Sequence, residues 1–236
     1  MTKIAEAGPW PATFGPVSTA TIASLLAPRG YRRQFLRGLR SLGAAGLAAP
    51  AFTVRLVPTR LDLAAGPDPF REVIETVPAG QVLVVDSMGD PRGGVIGDML
   101  ATRLAARGGA GLITDGAVRD SAALAGLNLG IWAAGTNSDL RSSAFAVAGT
   151  QQPVACAGVT VLPGDIMVAD ADGVIAVPAA LAGELAELGR DQEHLEQYLA
   201  GRLAAGEPLE GLYPPDARRR AEYENWRATS GNGTRP

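Results

Sequence analysis

Three short, almost wholly apolar runs follow one another in the middle of the chain: "QVLVVDS" from Gln81, "AGLIT" from Ala110 and "IWAAGT" from Ile131. Runs of this length, closed by turn residues, read as strands buried on both faces. Between the first two, residues 94–107 read as a helix, with Asp98 in its first turn and Gly108-Gly109 as its stop. "DGAV" reads as a turn after the second run, and "RDSAALAGL" as a shorter helix before the third. Strand–helix–strand–helix–strand over 81–135 constrains the fold most, because parallel strands need right-handed crossovers with helices on the sheet faces.

The flanks extend this α/β reading. "VSTATIASLLAPRG" predicts a helix capped by Ser18 or Thr19, "PAFTVRLVP" a strand, and "PFREVIETVPAG" a helix ended by Pro78-Ala79-Gly80. "PVACAGVTVLPGDIMVADADGVIAVP" holds three strand-like runs divided by "PGD" and "ADG", a meander of mostly antiparallel strands. Residues 179–206 read as a helix with Glu184, Glu187, Arg190, Glu193 and Glu196 along an exposed face. "GLYPPDARRRAEYENWRA" makes a turn and a last helix, and "TSGNGTRP" a frayed tail. Without internal repeats or a low-complexity linker, residues 1–236 read as a single domain, with a core at about 14–178 and a C-terminal helical arm at about 179–228. The arm carries Tyr198, Leu199, Leu203, Leu212, Tyr213 and Trp226, and packs either on a neighbouring subunit or back on its own core.

Composition removes several function classes. Hydrophobic residues are 47% and charged residues 19%, a globular balance. A net charge of −3 and 5% aromatics give neither the basic footprint nor the stacking platforms of a nucleic-acid binder. No apolar run reaches the roughly 18 residues of a membrane span, and the start "MTKIAEAGPWPATFG" has no signal-peptide pattern. The expectation is a cytoplasmic protein that binds no membrane. Cys156, alone of its kind, lies in a strand-like run and reads as a packing residue. His194, the single histidine, has no cysteine or second histidine nearby to form a zinc site. If the chain is an enzyme, its chemistry falls to carboxylates and arginine, with or without a hard metal.

Ligands of parallel α/β sheets bind beyond the carboxyl ends of the strands. Three stretches converge there: Asp86 to Asp90 ("DSMGD"), the helix start "GGVIGDML", and "DGAVRD". Helix-start amides suit a carboxylate, Arg119 an oxyanion, Asp120 a hard divalent cation, and Asp98 acid/base work. The plainer readings are Asp98 as a helix-dipole partner, Arg119 and Asp120 as a loop charge pair, and Asp115 as the turn residue before Gly116. No Walker lysine or dinucleotide fingerprint supports a nucleotide.

"GDMLATRLAARGGAGLITDGAVRD" resembles the acid–x20–Arg-Asp signature of the RraA-like family, which includes class II pyruvate aldolases of 4-hydroxy-4-methyl-2-oxoglutarate and 4-carboxy-4-hydroxy-2-oxoadipate. "STATIASLL", "PAFTVRLVP", "GQVLVVDSMGD", "GVTVLPGDIMVADADGVIAVP" and "GLYPP" extend the resemblance in order over most of the chain. It implies an αββα-type sandwich assembled as a homotrimer or homohexamer with sites between subunits. By motif position, Asp120 is the direct Mg2+ or Mn2+ ligand and Arg119 the substrate-binding residue that stabilises the pyruvate enolate. Asp98 holds a metal-bound water that takes the proton of the C4 hydroxyl. Backbone groups of Gly97, Asp98, Met99 and Leu100 hold the pyruvyl carboxylate. A C-terminal glutamate from an adjacent subunit completes such sites; Glu193 is the choice, with Glu196 second. Oxaloacetate decarboxylation, which passes through the same enolate, is an expected activity.

The chain also departs from the family pattern. "GTNSDLRSS" replaces a Gly-Thr-Ser-Pro-like loop, Ala49 stands where glycine is common, and the "GLYPP" arm suggests a branch outside the aromatic-degradation substrates, for which a sugar-acid-derived 2-oxo acid is one candidate. The alternatives to the lyase are a non-catalytic regulator binding a ribonuclease or another protein, and a metal-dependent dehydratase or hydrolase of a sugar-derived 2-oxo acid.

Overall fold

The computed structural model describes residues 10–43, 46–60 and 68–230. In chain order these contain Trp10–Phe14 (α1), Thr19–Leu26 (α2), Phe35–Leu36 (β1), Arg40–Ser41 (β2), Leu47–Pro58 (β3) and Pro69–Thr76 (α3). Val82–Asp86 (β4), Asp98–Ala106 (α4), Gly111–Val118 (β5), Ser121–Ala125 (α5) and Gly130–Thr136 (β6) follow. Then come Arg141–Ala144 (α6), Phe145–Thr150 (β7), Val154–Cys156 (β8), Val159–Val161 (β9), Ile166–Ala169 (β10) and Val174–Val177 (β11). Ala182–Ala204 (α7) and Ala217–Ser230 (α8) end the described chain. The tail read over 229–236 starts too early, because α8 continues to Ser230; its remainder, 231–236, and the reading of residues 1–9 as free of a leader pattern fall outside the described residues.

The three central apolar runs pair in parallel, with β3, β4, β5 and β6 side by side in that order. Strand alternation then assigns each residue a core. Leu83, Val85, Leu112 and Ile131 face Phe70 and Ile74 of α3 and Leu104 of α4. Val82, Val84, Ile113 and Trp132 face the other way, into a second core. β10 pairs antiparallel with β11 and with the start of β3, which curls the sheet over that core. Met167, Ala169, Val174 and Ala176 close it from the far side, and Val154, Cys156, Val159 and Val161 of the β8–β9 hairpin join them. The opposite face of this half-sheet, Ile166, Val168, Ile175 and Val177, packs on Phe14, Ile22, Leu26 and Leu185 of α1, α2 and α7. Helices, two facing halves of one curled sheet, and helices again make the expected αββα arrangement.

Ser18 caps α2 as anticipated, its side chain accepting from the Thr21 N–H. Three sequence expectations need correction. "DGAV" is not a turn: β5 runs through it to Val118. Aspartate and glycine are turn formers locally, but here the ladder to β6 shifts between Thr114 and Ala117, and the bulge absorbs them. The helix read as 94–107 starts at Asp98, because Gly94 bridges Ala117 and Leu140 and the backbone of Val95 and Ile96 bonds to the end of β5. The meander has four strands rather than three, since Ala157 and Gly158, with φ 49° and 78°, turn the first run back on itself. Strand β7, which pairs with the second half of β3, and the short elements α1, β1, β2 and α6 were not anticipated.

The arm folds back on its own chain. Leu195 and Leu199 of α7 enclose a small core with Leu212 and Tyr223. Glu184, Glu187 and Arg190 are exposed as read, whereas Glu193 and Glu196 are half-buried. Among the described residues no helix is long and apolar enough to cross a membrane.

Candidate active site

The carboxyl end of β5 builds the site. Ala117 O accepts from the Val95 N–H at 2.7 Å, and Arg119 N–H donates to Ile96 O at 2.9 Å, so segment 94–96 lies along the strand end. Asp98, the first residue of α4, is thereby brought beside Arg119 and Asp120. Asp120 stands in the left-handed region at φ 54° and opens α5. For an L-residue this conformation costs about 1 kcal/mol. Its Oδ2 accepts from the Asp98 N–H at 3.3 Å, while Asp98 Oδ1 accepts from the Met99 N–H at 2.7 Å. Gly97 caps α4 without a side chain, so these two carboxylates occupy amides of the helix's first turn.

Two glycines hold the acids and the arginine close. A Cβ on Gly97 would meet Asp120 Oδ2 at 2.5 Å, and one on Gly94 would meet Arg119 Cγ at 2.1 Å. Arg119 is half-buried, makes no ion pair among the described residues, and has a buried Nε with no partner. A buried guanidinium donor without an acceptor is costly, and a ligand anion relieves it. Arg119 stands between two cavities. One, of 600 Å3, is lined by Asp98, Asp120, Thr136 and Asn137. The other, of 1080 Å3, lies between α3, the start of α4 and residues 140–142.

Among the described residues no group of three or more His, Cys, Asp or Glu side chains gathers into a metal cage. A hard cation such as Mg2+ needs only one or two carboxylates and keeps several waters. Asp120 is exposed, and among the described residues only its Oδ2 takes a hydrogen bond, so Oδ1 is available. The donor set fits a cation that retains most of its water.

Other sequence candidates lie elsewhere in the chain. Glu193 Oε1 accepts from the Ser18 N–H at 2.9 Å and the Thr21 hydroxyl at 2.7 Å, at the start of α2. Burial raises its pKa, but these hydrogen bonds outweigh that and hold it below the ordinary glutamate value. Glu196 accepts from Gln192. Within one chain neither joins the Asp98–Arg119–Asp120 cluster. Asp86 and Ser87 turn inward and are buried, so "DSMGD" supplies scaffold where a lip of the site was expected. Asp86 Oδ2 accepts from the Ala155 N–H. Asp115, read as a turn residue, is buried and accepts from the N–H groups of Ser87, Gly89 and Ala157 and the Ser87 hydroxyl. Burial, with Asp115 nearby, pushes the Cys156 thiol well up, as suits a packing residue.

Two contributors were missed, both in "GTNSDLRSS". Asn137 fastens its loop through a donor bond to Pro91 O at 2.7 Å. Arg141 is buried, pairs with Asp68, donates to Phe145 O at 3.1 Å and lies 4.7 Å over the Phe70 ring. The signal available was one arginine inside a loop that departs from the family pattern.

A model of the RraA-like family, described as Aldolase/RraA, matches residues 19–176. A relative from Halalkalibacterium halodurans named "Putative 4-hydroxy-4-methyl-2-oxoglutarate aldolase" is 37% identical over 99 residues. That match covers 42% of this chain and spans 47% of the relative's length. The crystal structure of Streptomyces coelicolor RraAS2, an unusual member of the RNase ES inhibitor RraA protein family, is 35% identical with a TM-score of 0.72, covering 79% of this chain and 93% of that one. An uncharacterised protein from Pseudomonas syringae pv. tomato is 25% identical with a TM-score of 0.80, covering 92% of this chain and all of that one.

Proposed function

From the chain's membership of the RraA-like family, we propose that it is a lyase releasing pyruvate from a 4-hydroxy-2-oxo acid, with oxaloacetate decarboxylation as a second activity. The observation that carries this is Arg119, a half-buried cation with an unpartnered Nε beside two carboxylates and a helix start. The Halalkalibacterium relative's name supports the same reaction class.

In this reading the substrate carboxylate docks on the first-turn amides of α4, from Gly97 to Leu100. It displaces Asp98 Oδ1 from the Met99 N–H, which frees Asp98 to take the proton of the C4 hydroxyl. The C3–C4 bond breaks, its electrons pass to the pyruvate enolate, and the other fragment leaves as a carbonyl compound. Arg119 holds the developing enolate oxygen with its fixed fork of donors. Asp120 would hold Mg2+ or Mn2+, which supplies Lewis acidity toward the 2-oxo group when bound. Glu193 receives no step here, because its carboxylate is engaged on α2 in the same chain.

The test is pyruvate release from oxaloacetate and from 4-hydroxy-2-oxo acids with Mg2+ or Mn2+. EDTA should abolish it, and Arg119→Ala and Asp120→Ala should each lower it about 100-fold or more with unchanged circular dichroism. Full turnover by both variants removes the assignment. A second reading, a non-catalytic regulator of a ribonuclease, is favoured by the 35% identity to RraAS2. Absence of turnover on every 2-oxo acid, together with inhibition of a ribonuclease, would establish it instead.

A further inference from the structure

The 1080 Å3 cavity beside Arg119 is far larger than a pyruvyl group requires. We propose that it takes the distal part of the substrate and that this part is apolar, an alkyl or aryl chain; the inference rests on the lyase reading above. Its walls include Ile74, Val95, Ile96, Met99, Leu100 and Leu140. Met99 and Leu140, 77% and 58% exposed, are among the large apolar side chains left most open to water in the described chain. Both line this cavity, one from α4 and one from just before α6.

Apart from Arg119, which the 2-oxo acid end would occupy, most charges around the cavity are already spent on one another. Arg141 is tied to Asp68 and Phe145 O. Arg103 makes two bonds to Glu75, at 2.8 and 2.9 Å, and Arg107 adds a third to the same carboxylate. Arg103 holds Glu75 below the usual carboxylate range. Arg71 and Glu72 have no partner among the described residues, and both are exposed, so their charges stay in water at the cavity's rim. No convergent set of free donors therefore awaits a second carboxylate. A row of sugar hydroxyls would lose water here without gaining partners. Arg119 lines both this cavity and the Asp98–Asp120 cleft. A substrate anchored there by its 2-oxo acid end extends its other end along apolar wall.

The experiment is calorimetric binding of pyruvate, 2-oxobutyrate, 2-oxohexanoate, 2-oxooctanoate and 2-oxoglutarate to the intact protein with Mg2+. Affinity should rise about four-fold per methylene along the straight-chain series, the value of burying one methylene. 2-Oxoglutarate should bind more weakly than 2-oxohexanoate, and Leu140→Asp should flatten the dependence on length. No dependence on length, or tighter binding of 2-oxoglutarate, overturns the inference and leaves the lyase reading standing. No binding by any member overturns that reading, and the inference with it. If Leu140→Asp changes the particle mass by light scattering and leaves the length dependence intact, the cavity is a seam between copies and the inference fails.

Discussion

At position 97 there is no room for a single methyl group. A Cβ there stands 2.5 Å from Asp120 Oδ2, the oxygen that accepts from the Asp98 N–H. Gly97→Ala must therefore push Asp120 off the Asp98 amide. We expect turnover to fall about ten-fold or more, since displacements of an ångström are costly to positioned groups, while the far-ultraviolet spectrum is unchanged. Turnover at the unmodified rate would mean that Asp120 has no fixed place in the reaction. The three charges Asp98, Arg119 and Asp120 were legible in the sequence because a short crossover joins them. Asp115 was not, because its donors Ser87, Gly89 and Ala157 lie 26 to 42 positions away and nothing local marks them. Arg141 was hidden for the same reason: its acid, Asp68, is 73 positions distant.

Helix α2 shows what an element draws from distant chain. Its first turn is held by Ser18, by Glu193 from α7 and by Asp170, which accepts from the Thr19 N–H at 2.8 Å. Because Glu193 titrates below its ordinary value in the fold, its stabilisation is complete above that ordinary value, 4.5, and is lost as pH falls through its lowered one. Glu193→Gln should lower the melting temperature at neutral pH. A lost cap costs about 1 kcal/mol, roughly 2–4 °C in a chain of this size. The difference between the two proteins should vanish in acid; a constant gap at every pH would assign the effect to packing. At this scale the βαβ order was legible because buried runs and glycine stops are local signals. The bulge in β5 and the fourth strand of the meander were not, since partners across the ladder overrule turn propensity.

The whole molecule is held by ties between its layers. Asp115 joins the 87–89 turn after β4 to the β8–β9 hairpin from within β5. Asp115→Ala leaves the buried N–H and hydroxyl of Ser87 unmatched and should cost about 1–3 kcal/mol, read as an earlier urea midpoint. An unshifted midpoint would show that water replaces the carboxylate. The layered architecture was legible from strand alternation and the family resemblance together. The arm's own small core was not legible: its apolar residues were read as packing on a neighbour or on the domain core, whereas within the chain Leu195, Leu199, Leu212 and Tyr223 enclose one another.

Strand β3 belongs to both halves of the curled sheet: Leu47 to Pro50 pair with β10, and Ala51 to Arg55 with β4. During synthesis β4, β5 and β6 emerge soon after β3 and can zip onto one edge. The partner for the opposite edge at Leu47–Pro50, residues 166–169, is made more than a hundred positions later. Through that interval the nascent chain carries an unpaired strand edge and an apolar sheet face without its cover, the condition under which chains associate wrongly. Production of this protein should therefore depend on translation speed and on holding chaperones, and shortened fragments that end before residue 166 should precipitate.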